Sequence, residues 1–120
     1  MTNLRSGLKI TLVLHALSVF AQAVLAGQFL SGVDAPVRLH ELMAWVVLGI
    51  SLVQLALSGI LAKQSRCPLW MPIAGVVVFF AELFQTVTGY GRFLNVHVPL
   101  GVLIFGLLLV QLAAVFGAGE

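Results

Sequence analysis

The chain has 120 residues, of which 61% are hydrophobic and only 8% are charged, and its formal net charge is +2. Its mean hydropathy is +1.13, whereas about a quarter of the residues of a soluble domain are charged. This composition excludes a soluble globular protein, and the lack of a basic cluster argues against a nucleic-acid partner. We expect one domain over residues 1–120, surrounded by the lipid bilayer.

Four apolar segments are long enough to cross the hydrocarbon core of a bilayer, which takes about 20 helical residues. They lie at about residues 8–30, 36–62, 70–90 and 93–116. Lipid offers no partners for unpaired backbone groups, so these segments are expected to be helical. The sequence therefore predicts an all-α integral membrane four-helix bundle with short connections.

The first helix carries its polar side chains at intervals of three and four residues, which places them on one face. These residues are Thr11, His15, Ser18 and Gln22. In a membrane protein such a face packs against other helices, while the apolar bulk faces lipid. His15 is therefore predicted to point into the bundle.

The basic residues outside the apolar runs predict the orientation. Four of them fall on the side shared by both termini and two on the other side; in order, they are Arg5, Lys9, Lys63 and Arg66, then Arg38 and Arg92. Lys and Arg are more frequent in cytoplasmic loops. This bias predicts a multi-pass membrane protein with both termini in the cytoplasm.

The second helix has a narrow stripe of small and polar residues that begins at a histidine. The stripe consists of His40, Ala44, Val47, Ser51, Gln54 and Ser58. Small and hydrogen-bonding residues are typical of helix–helix contacts in membranes, so this face is predicted to point inward.

The third helix places Glu82 well inside the membrane, where an ionisable side chain usually has a function. Two roles are open for it: a proton relay, or a protonated acid bonded to Gln22 or Gln85. Helix 1 aligns weakly with helix 3 at an offset of 60, which pairs Gln22 with Glu82.

The fourth helix repeats the second. At an offset of 57 (97 − 40), His97 corresponds to His40, and the segment Val110–Ala113 is identical to Val53–Ala56. This repeat indicates a duplicated helical hairpin, with the two copies related by a pseudo-twofold axis along the membrane normal. His40 and His97 are thereby predicted to lie at the same depth and to face each other.

Two facing histidines in a helix bundle are suited to be the axial ligands of a b-type haem. Arginines at the same end can pair with the haem propionates, and small residues leave room for the macrocycle. The alternative is that the two histidines lie at the membrane interface, bind water and have no ligand role. The residues predicted to bind the haem are His40, His97, Arg38, Arg92, Ala44 and Gly101.

A second polar site is predicted deeper in the bundle. Gln54 and Gln111 each lie 14 residues after a histidine (54 − 40 and 111 − 97), close to four turns or about 21 Å. That depth is near His15, for which a hydrogen bond to a glutamine and iron ligation are both considered. The possible second polar site contains His15, Gln54, Gln111 and Glu82.

These histidine positions resemble a known group of proteins. Small bacterial four-helix b-type cytochromes that exchange electrons between superoxide and quinone have histidines at positions matched by His15, His40 and His97. Gln111 stands where their fourth histidine ligand belongs. The resemblance therefore favours one haem over two. The chain is also similar to one half of haem A synthase, and its segments 21–27 and 97–101 resemble an uncharacterised four-helix membrane family.

The expected function is one-electron transfer by a membrane cytochrome with one haem b bound by His40 and His97. Quinone, superoxide or a redox partner protein are the expected exchange partners, and a homo-oligomer is considered. Whether the protein is an oxidoreductase enzyme is left open. The alternatives are a non-redox protein (a transporter subunit, an assembly factor or a haem-handling factor) and, ranked last, a metal site of His40, His97 and Glu82.

Overall fold

The computed structural model consists of four helices, which confirms the predicted all-α four-helix bundle. It describes residues 2–117, with side chains from residue 3, so the ends of the predicted domain 1–120 lie outside the described residues. The helices are α1 (Thr2–Leu30), α2 (Pro36–Lys63), α3 (Trp70–Tyr90) and α4 (Leu94–Gly117). All four are long and apolar enough to cross a membrane. The chain is therefore a multi-pass membrane protein.

The helix ends agree closely with the apolar runs, except that α1 begins before its run. The first turns of α1 contain Asn3, Arg5 and Ser6, which form helix without contributing to the apolar segment. The bundle measures 47 × 20 × 19 Å, and the 21 residues of α3 extend about 32 Å, enough to cross the hydrocarbon core.

The four helices form a ring in which each contacts the next. The packed pairs are α1 with α2, α2 with α3, α3 with α4, and α4 with α1. Helices α2 and α4 thus lie on one diagonal of the bundle and α1 and α3 on the other. The two similar helices therefore face each other across the centre, as the duplicated hairpin predicts.

The inward faces are the ones that the sequence pattern indicates. On α2 the buried residues include Val47, Ser51, Gln54 and Ser58, and on α4 they include Ile104, Leu108 and Gln111. Large apolar side chains cover the outside of the bundle. Lipid solvates these as well as a protein core does, so the polar stripe marks the interior.

The two ends of the bundle differ in packing. We call the end with the α1–α2 and α3–α4 connections the turn end, and the other end the terminal end. Near the terminal end, Leu8, Leu12, Leu61 and Met71 are buried in the apolar core. At the turn end, His40 and His97 are only half-buried.

The α3–α4 connection is tight because of its backbone conformation. The amides of Gly91, Arg92 and Phe93 donate hydrogen bonds to carbonyls in the last turns of α3, and Arg92 has φ +57°. Only Leu94 to Val96 precede His97 in α4. The short turn therefore fixes His97 beside the end of α3.

Candidate functional site

His40 and His97 lie at the turn end, close to the first residues of α2 and α4. The centroids of their imidazole rings are 6.0 Å apart, and the ring planes make an angle of 65°. The pair thus connects the diagonal helices α2 and α4. We call these two residues the histidine pair.

Each histidine exchanges two hydrogen bonds with a glutamine of its own hairpin. His40 Nδ1–H donates to the carbonyl oxygen of Gln22 (3.1 Å), and Gln22 Nε2 donates to the carbonyl oxygen of His40 (3.0 Å). In the second hairpin, His97 Nδ1–H donates to the carbonyl oxygen of Gln85 (2.8 Å), and Gln85 Nε2 donates to that of His97 (2.7 Å). The same arrangement thus occurs twice.

These contacts fix the tautomer of both rings. A carbonyl oxygen can only accept, so each Nδ1 carries a proton, and in the neutral imidazole Nε2 then has a free lone pair. Within the part of the chain that the structure describes, neither Nε2 makes a hydrogen bond. A backbone carbonyl on one ring nitrogen and a free lone pair on the other is the usual state of a metal-ligating histidine.

Gly89 allows His97 to pack against α3. A β-carbon added at Gly89 would lie 2.8 Å from His97 Cε1, a distance that real structures do not tolerate. Thr88 lies next to it, with its hydroxyl oxygen 3.4 Å from His97 Nδ1. Glycine is therefore required at position 89 for the present position of the imidazole ring.

The sequence did not predict Gln22, Gln85 or Gly89 as residues of this site. Gln22 lies on the face of α1 that is predicted to point inward, and Gln85 and Gly89 follow Glu82 on α3 at intervals of three and four residues, which places them on one face. The alignment of α1 with α3 at an offset of 60 did not show that Gln22 corresponds to Gln85, because it paired Gln22 with Glu82. The hydrogen bonds make Gln22 equivalent to Gln85, an offset of 63 (85 − 22), so that alignment was wrong by nearly one helical turn.

The other residues predicted around the histidine pair lie at different places. Arg38 and Arg92 are exposed near the turn end, and Ala44 is half-buried one turn below His40. A β-carbon at Gly101 would lie 3.0 Å from Gln85 Nε2, so this glycine makes room for the glutamine side chain. Gly49 and Gly106, which correspond to each other in the repeat, are exposed, and nothing lies within 4 Å of a β-carbon added at either.

The second predicted polar site, here called the inner layer, is a connected network. His15 Nδ1 lies 2.6 Å from Gln54 Oε1, and Gln54 Nε2 donates to Gln111 Oε1 (3.1 Å). Gln111 Nε2 in turn donates to the carbonyl oxygen of Met71 (3.2 Å). All these side chains are at most 2% exposed, and together they join the four helices in the interior of the bundle.

Glu82 belongs to the inner layer. Its Oε1 lies 2.5 Å from His15 Nε2, and its side chain is 4% exposed. Glu82 thus bonds to His15 and not to Gln22 or Gln85, the partners expected from the sequence, whose Nε2 groups donate to the carbonyls of the histidine pair. Among the described residues, Glu82 Oε2 is buried and has no hydrogen-bond partner, and the same is true of the Oε1 atoms of Gln22 and Gln85.

The pairing of Glu82 with His15 argues against the metal site that was ranked last from the sequence. A metal site of His40, His97 and Glu82 needs the carboxylate at the turn end, whereas it contacts His15. Among residues 2–117, no three His, Cys, Asp or Glu side chains are grouped so that they could hold a metal ion. His15 itself uses both ring nitrogens in hydrogen bonds, which leaves no lone pair for iron.

Cys67 lies in the α2–α3 loop, outside the membrane-spanning segments. Its thiol donates to the carbonyl oxygen of Ser58 (3.3 Å). Burial raises the pKa of the Cys67 thiol, and the nearby positive charge of Arg5 offsets this in part. This cysteine therefore helps to close the terminal end.

Comparison with protein-family models, with curated proteins and with solved structures finds no match for this chain. The functional interpretation therefore depends on the geometry of its own side chains.

Proposed function

We propose that this protein is a membrane b-type cytochrome that binds one haem at the turn end, with His40 and His97 as axial ligands. The observation that carries the proposal is the histidine pair itself: two imidazoles on diagonal helices, each with Nδ1–H bound to a backbone carbonyl and Nε2 free.

The separation of the two rings supports this proposal. A metal–imidazole bond is about 2.0 Å long and a ring nitrogen lies about 1.1 Å from its ring centroid, so two axial imidazoles have centroids about 6.2 Å apart. The observed 6.0 Å agrees with this value. Because each Nδ1 is bound to a backbone carbonyl, Nε2 is the nitrogen of each ring that would ligate the iron.

The surroundings of the histidine pair also fit a haem. The exposed Arg38 and Arg92 are suited to pair with carboxylates such as the propionates. Ala44 and Gly101 are small residues one turn beyond each histidine, and the Gln85 side chain lies against Gly101. The group would supply one-electron transfer, and the chain's own residues would orient it and exclude water.

The inner layer favours one haem rather than two. His15 is fully buried, and both of its ring nitrogens are used by Gln54 and Glu82. Gln111, at the position matching a fourth ligand, donates to Met71 and accepts from Gln54. We propose quinone, superoxide or a redox protein as the partner in electron exchange. The protein would lie in the bacterial inner membrane with both termini in the cytoplasm, and a homo-oligomer is compatible with this role.

A second candidate is a non-redox membrane protein, such as an assembly factor, in which these residues only hold helices together. The observation that favours it is that the glutamine–histidine exchanges and the inner layer connect all four helices by hydrogen bonds. Such contacts contribute about 1 kcal/mol each in membranes.

Reduced-minus-oxidised visible spectra of the purified protein distinguish the two candidates. We expect a b-type spectrum that disappears in His40→Ala and in His97→Ala. It should persist in His15→Gln, which changes the third histidine of the chain and serves as the matched control. A wild-type protein that remains colourless after addition of haem contradicts the cytochrome and favours the second candidate.

A further inference from the structure

The pair formed by His15 and Glu82 is the most deeply buried ionisable group in the described chain. The two side chains are 0% and 4% exposed and come from the diagonal helices α1 and α3. Ionisable side chains inside a membrane are costly and are retained mostly where they carry ions or protons. The proposed cytochrome does not require them as ligands, so their presence calls for another role.

The hydrogen bonds define how many protons the pair holds. Gln54 donates its amide to Gln111, so its Oε1 accepts from His15 and His15 Nδ1 carries a proton. The contact of 2.5 Å between His15 Nε2 and Glu82 Oε1 requires one further proton between these atoms. With that proton on either atom, the pair is electrically neutral as a whole.

Glu82 has a free position for one more proton. Its Oε2 is buried and has no hydrogen-bond partner among the described residues. A proton added there leaves the His15 Nε2 contact in place and gives the pair a net charge of +1. Oε2 is therefore the position on the pair where a proton can be added without breaking one of its hydrogen bonds.

No other charged side chain of the four helices lies at the depth of the pair. The other histidines and the charged side chains of the spans lie at the helix ends: Arg5 and Lys9 on α1, Arg38, His40, Glu41 and Lys63 on α2, and His97 on α4; α3 has only Tyr90, in its last turn. The pair therefore responds mainly to charge placed at the histidine pair, the nearest site that can change its charge by electron transfer.

The distance between the two sites is short enough for such a response. The His97 ring lies against Gly89, and Glu82 precedes Gly89 by seven residues (89 − 82), or about 10.5 Å along α3. Glu82 thus lies about 10 Å from the His97 ring. A unit charge at that distance changes proton binding roughly tenfold at the effective dielectric constant of about 20 found in proteins.

We propose that the His15–Glu82 pair is a redox-linked proton site, which binds a proton at Glu82 Oε2 when an electron arrives at the histidine pair. This inference rests on the proposed cytochrome. The electron comes from a one-electron donor of the quinol or protein class and the proton from the aqueous phase. One O–H bond forms at Glu82, and both electron and proton leave on reoxidation.

The test is a redox titration of the haem-loaded protein over a range of pH, with infrared difference spectra of the reduced and oxidised states. We expect the midpoint potential to fall as pH rises, and a carboxylic C=O band to appear on reduction. Both should be lost in Glu82→Gln, which keeps the size of the side chain. Ser58→Ala, a buried change on α2 that leaves the pair intact, should retain both.

Two further measurements, on His15→Gln and on the haem-free protein, test the proton site independently. His15→Gln removes the shared proton but keeps the carboxyl group, so we expect the pH dependence to be lost while a carboxylic band is present in both redox states. In the haem-free protein, the band should grow as pH falls in the wild type and be smaller in Glu82→Gln.

The outcomes separate this inference from the proposed function. An unchanged pH dependence and unchanged band in both variants overturn the proton site and leave the cytochrome standing. Equal infrared titrations of the haem-free wild type and Glu82→Gln also overturn it. A wild-type protein that binds no haem overturns both the proposed function and the redox link.

Discussion

His15 and the histidine pair belong to the same bundle but use their ring nitrogens differently. His15 is fully buried, and both nitrogens are hydrogen-bonded to neighbouring side chains. His40 and His97 are half-buried, and each uses one nitrogen on a backbone carbonyl and leaves the other free. A histidine with both nitrogens occupied serves structure or proton binding, whereas one with a free, oriented lone pair can bind a metal.

The same comparison applies to the glutamines. Gln54 and Gln111 bond to each other across the centre of the bundle, while Gln22 and Gln85 each bond to the backbone of a histidine-bearing helix. The first two connect side chains in the interior, and the latter two position the histidine pair. Identical residue types thus have different roles because their depth and neighbouring helix differ.

The largest expected effect concerns stability. His15→Ala removes the partner of a buried carboxylate, which should lower the free energy of unfolding by about 3 kcal/mol. His40→Ala, at a half-buried site, should cost about 1 kcal/mol in the haem-free protein, because it removes one hydrogen bond. Unfolding in detergent with increasing denaturant measures both. Equal losses of unfolding free energy in the two variants would contradict the distinction between the inner layer and the histidine pair.

A smaller effect is expected from a methyl group beside His97. Gly89→Ala places a β-carbon 2.8 Å from His97 Cε1, so the ring must move and haem affinity should fall about tenfold, as for other changes that disturb ligand orientation. Gly106→Ala is the matched control, because nothing lies within 4 Å of its added β-carbon. Haem titration followed by absorbance measures the affinities, and an unchanged value in Gly89→Ala would argue against the present orientation of His97.

The equivalence of Gln22 and Gln85 can be tested by matched substitutions. Gln22→Leu and Gln85→Leu each remove one hydrogen bond to a histidine carbonyl and should each destabilise the protein by about 1 kcal/mol. Unfolding measurements of both single variants check this. A large loss for one and none for the other would contradict the twofold arrangement of the histidine pair.

The smallest expected effect is at Cys67, which belongs neither to the inner layer nor to the histidine pair. Burial raises the pKa of this thiol, so the reactive thiolate forms only at higher pH than in an exposed cysteine. Its alkylation rate should therefore be low at neutral pH and rise in the alkaline range. Arg5→Gln removes a charge that lowers this pKa and should shift the rise further upward. Alkylation followed by mass spectrometry measures the rates, and a rate equal to that of a small free thiol would show that the loop does not shield Cys67.

Much of the fold followed from the sequence because a bilayer imposes strict conditions. Each apolar run had to be a helix, and the stripe from His40 to Ser58 had to face inward. The repeat of His40 and Gln54 in His97 and Gln111 placed these residues at equal depths on diagonal helices. The contact between Gln54 and Gln111 follows from this, since both lie at the same level of the same diagonal.

The partners of the remaining polar residues were decided only by the tertiary structure. Helical periodicity determines the face and the depth of a side chain on its own helix, but a long side chain can reach a full turn along its neighbour. Glu82 therefore bonds to His15 and not to Gln22 or Gln85, and the two glutamines bind the histidine pair. The sequence alone determined that three histidines enter the bundle; helix packing decided that two keep a free nitrogen and one does not.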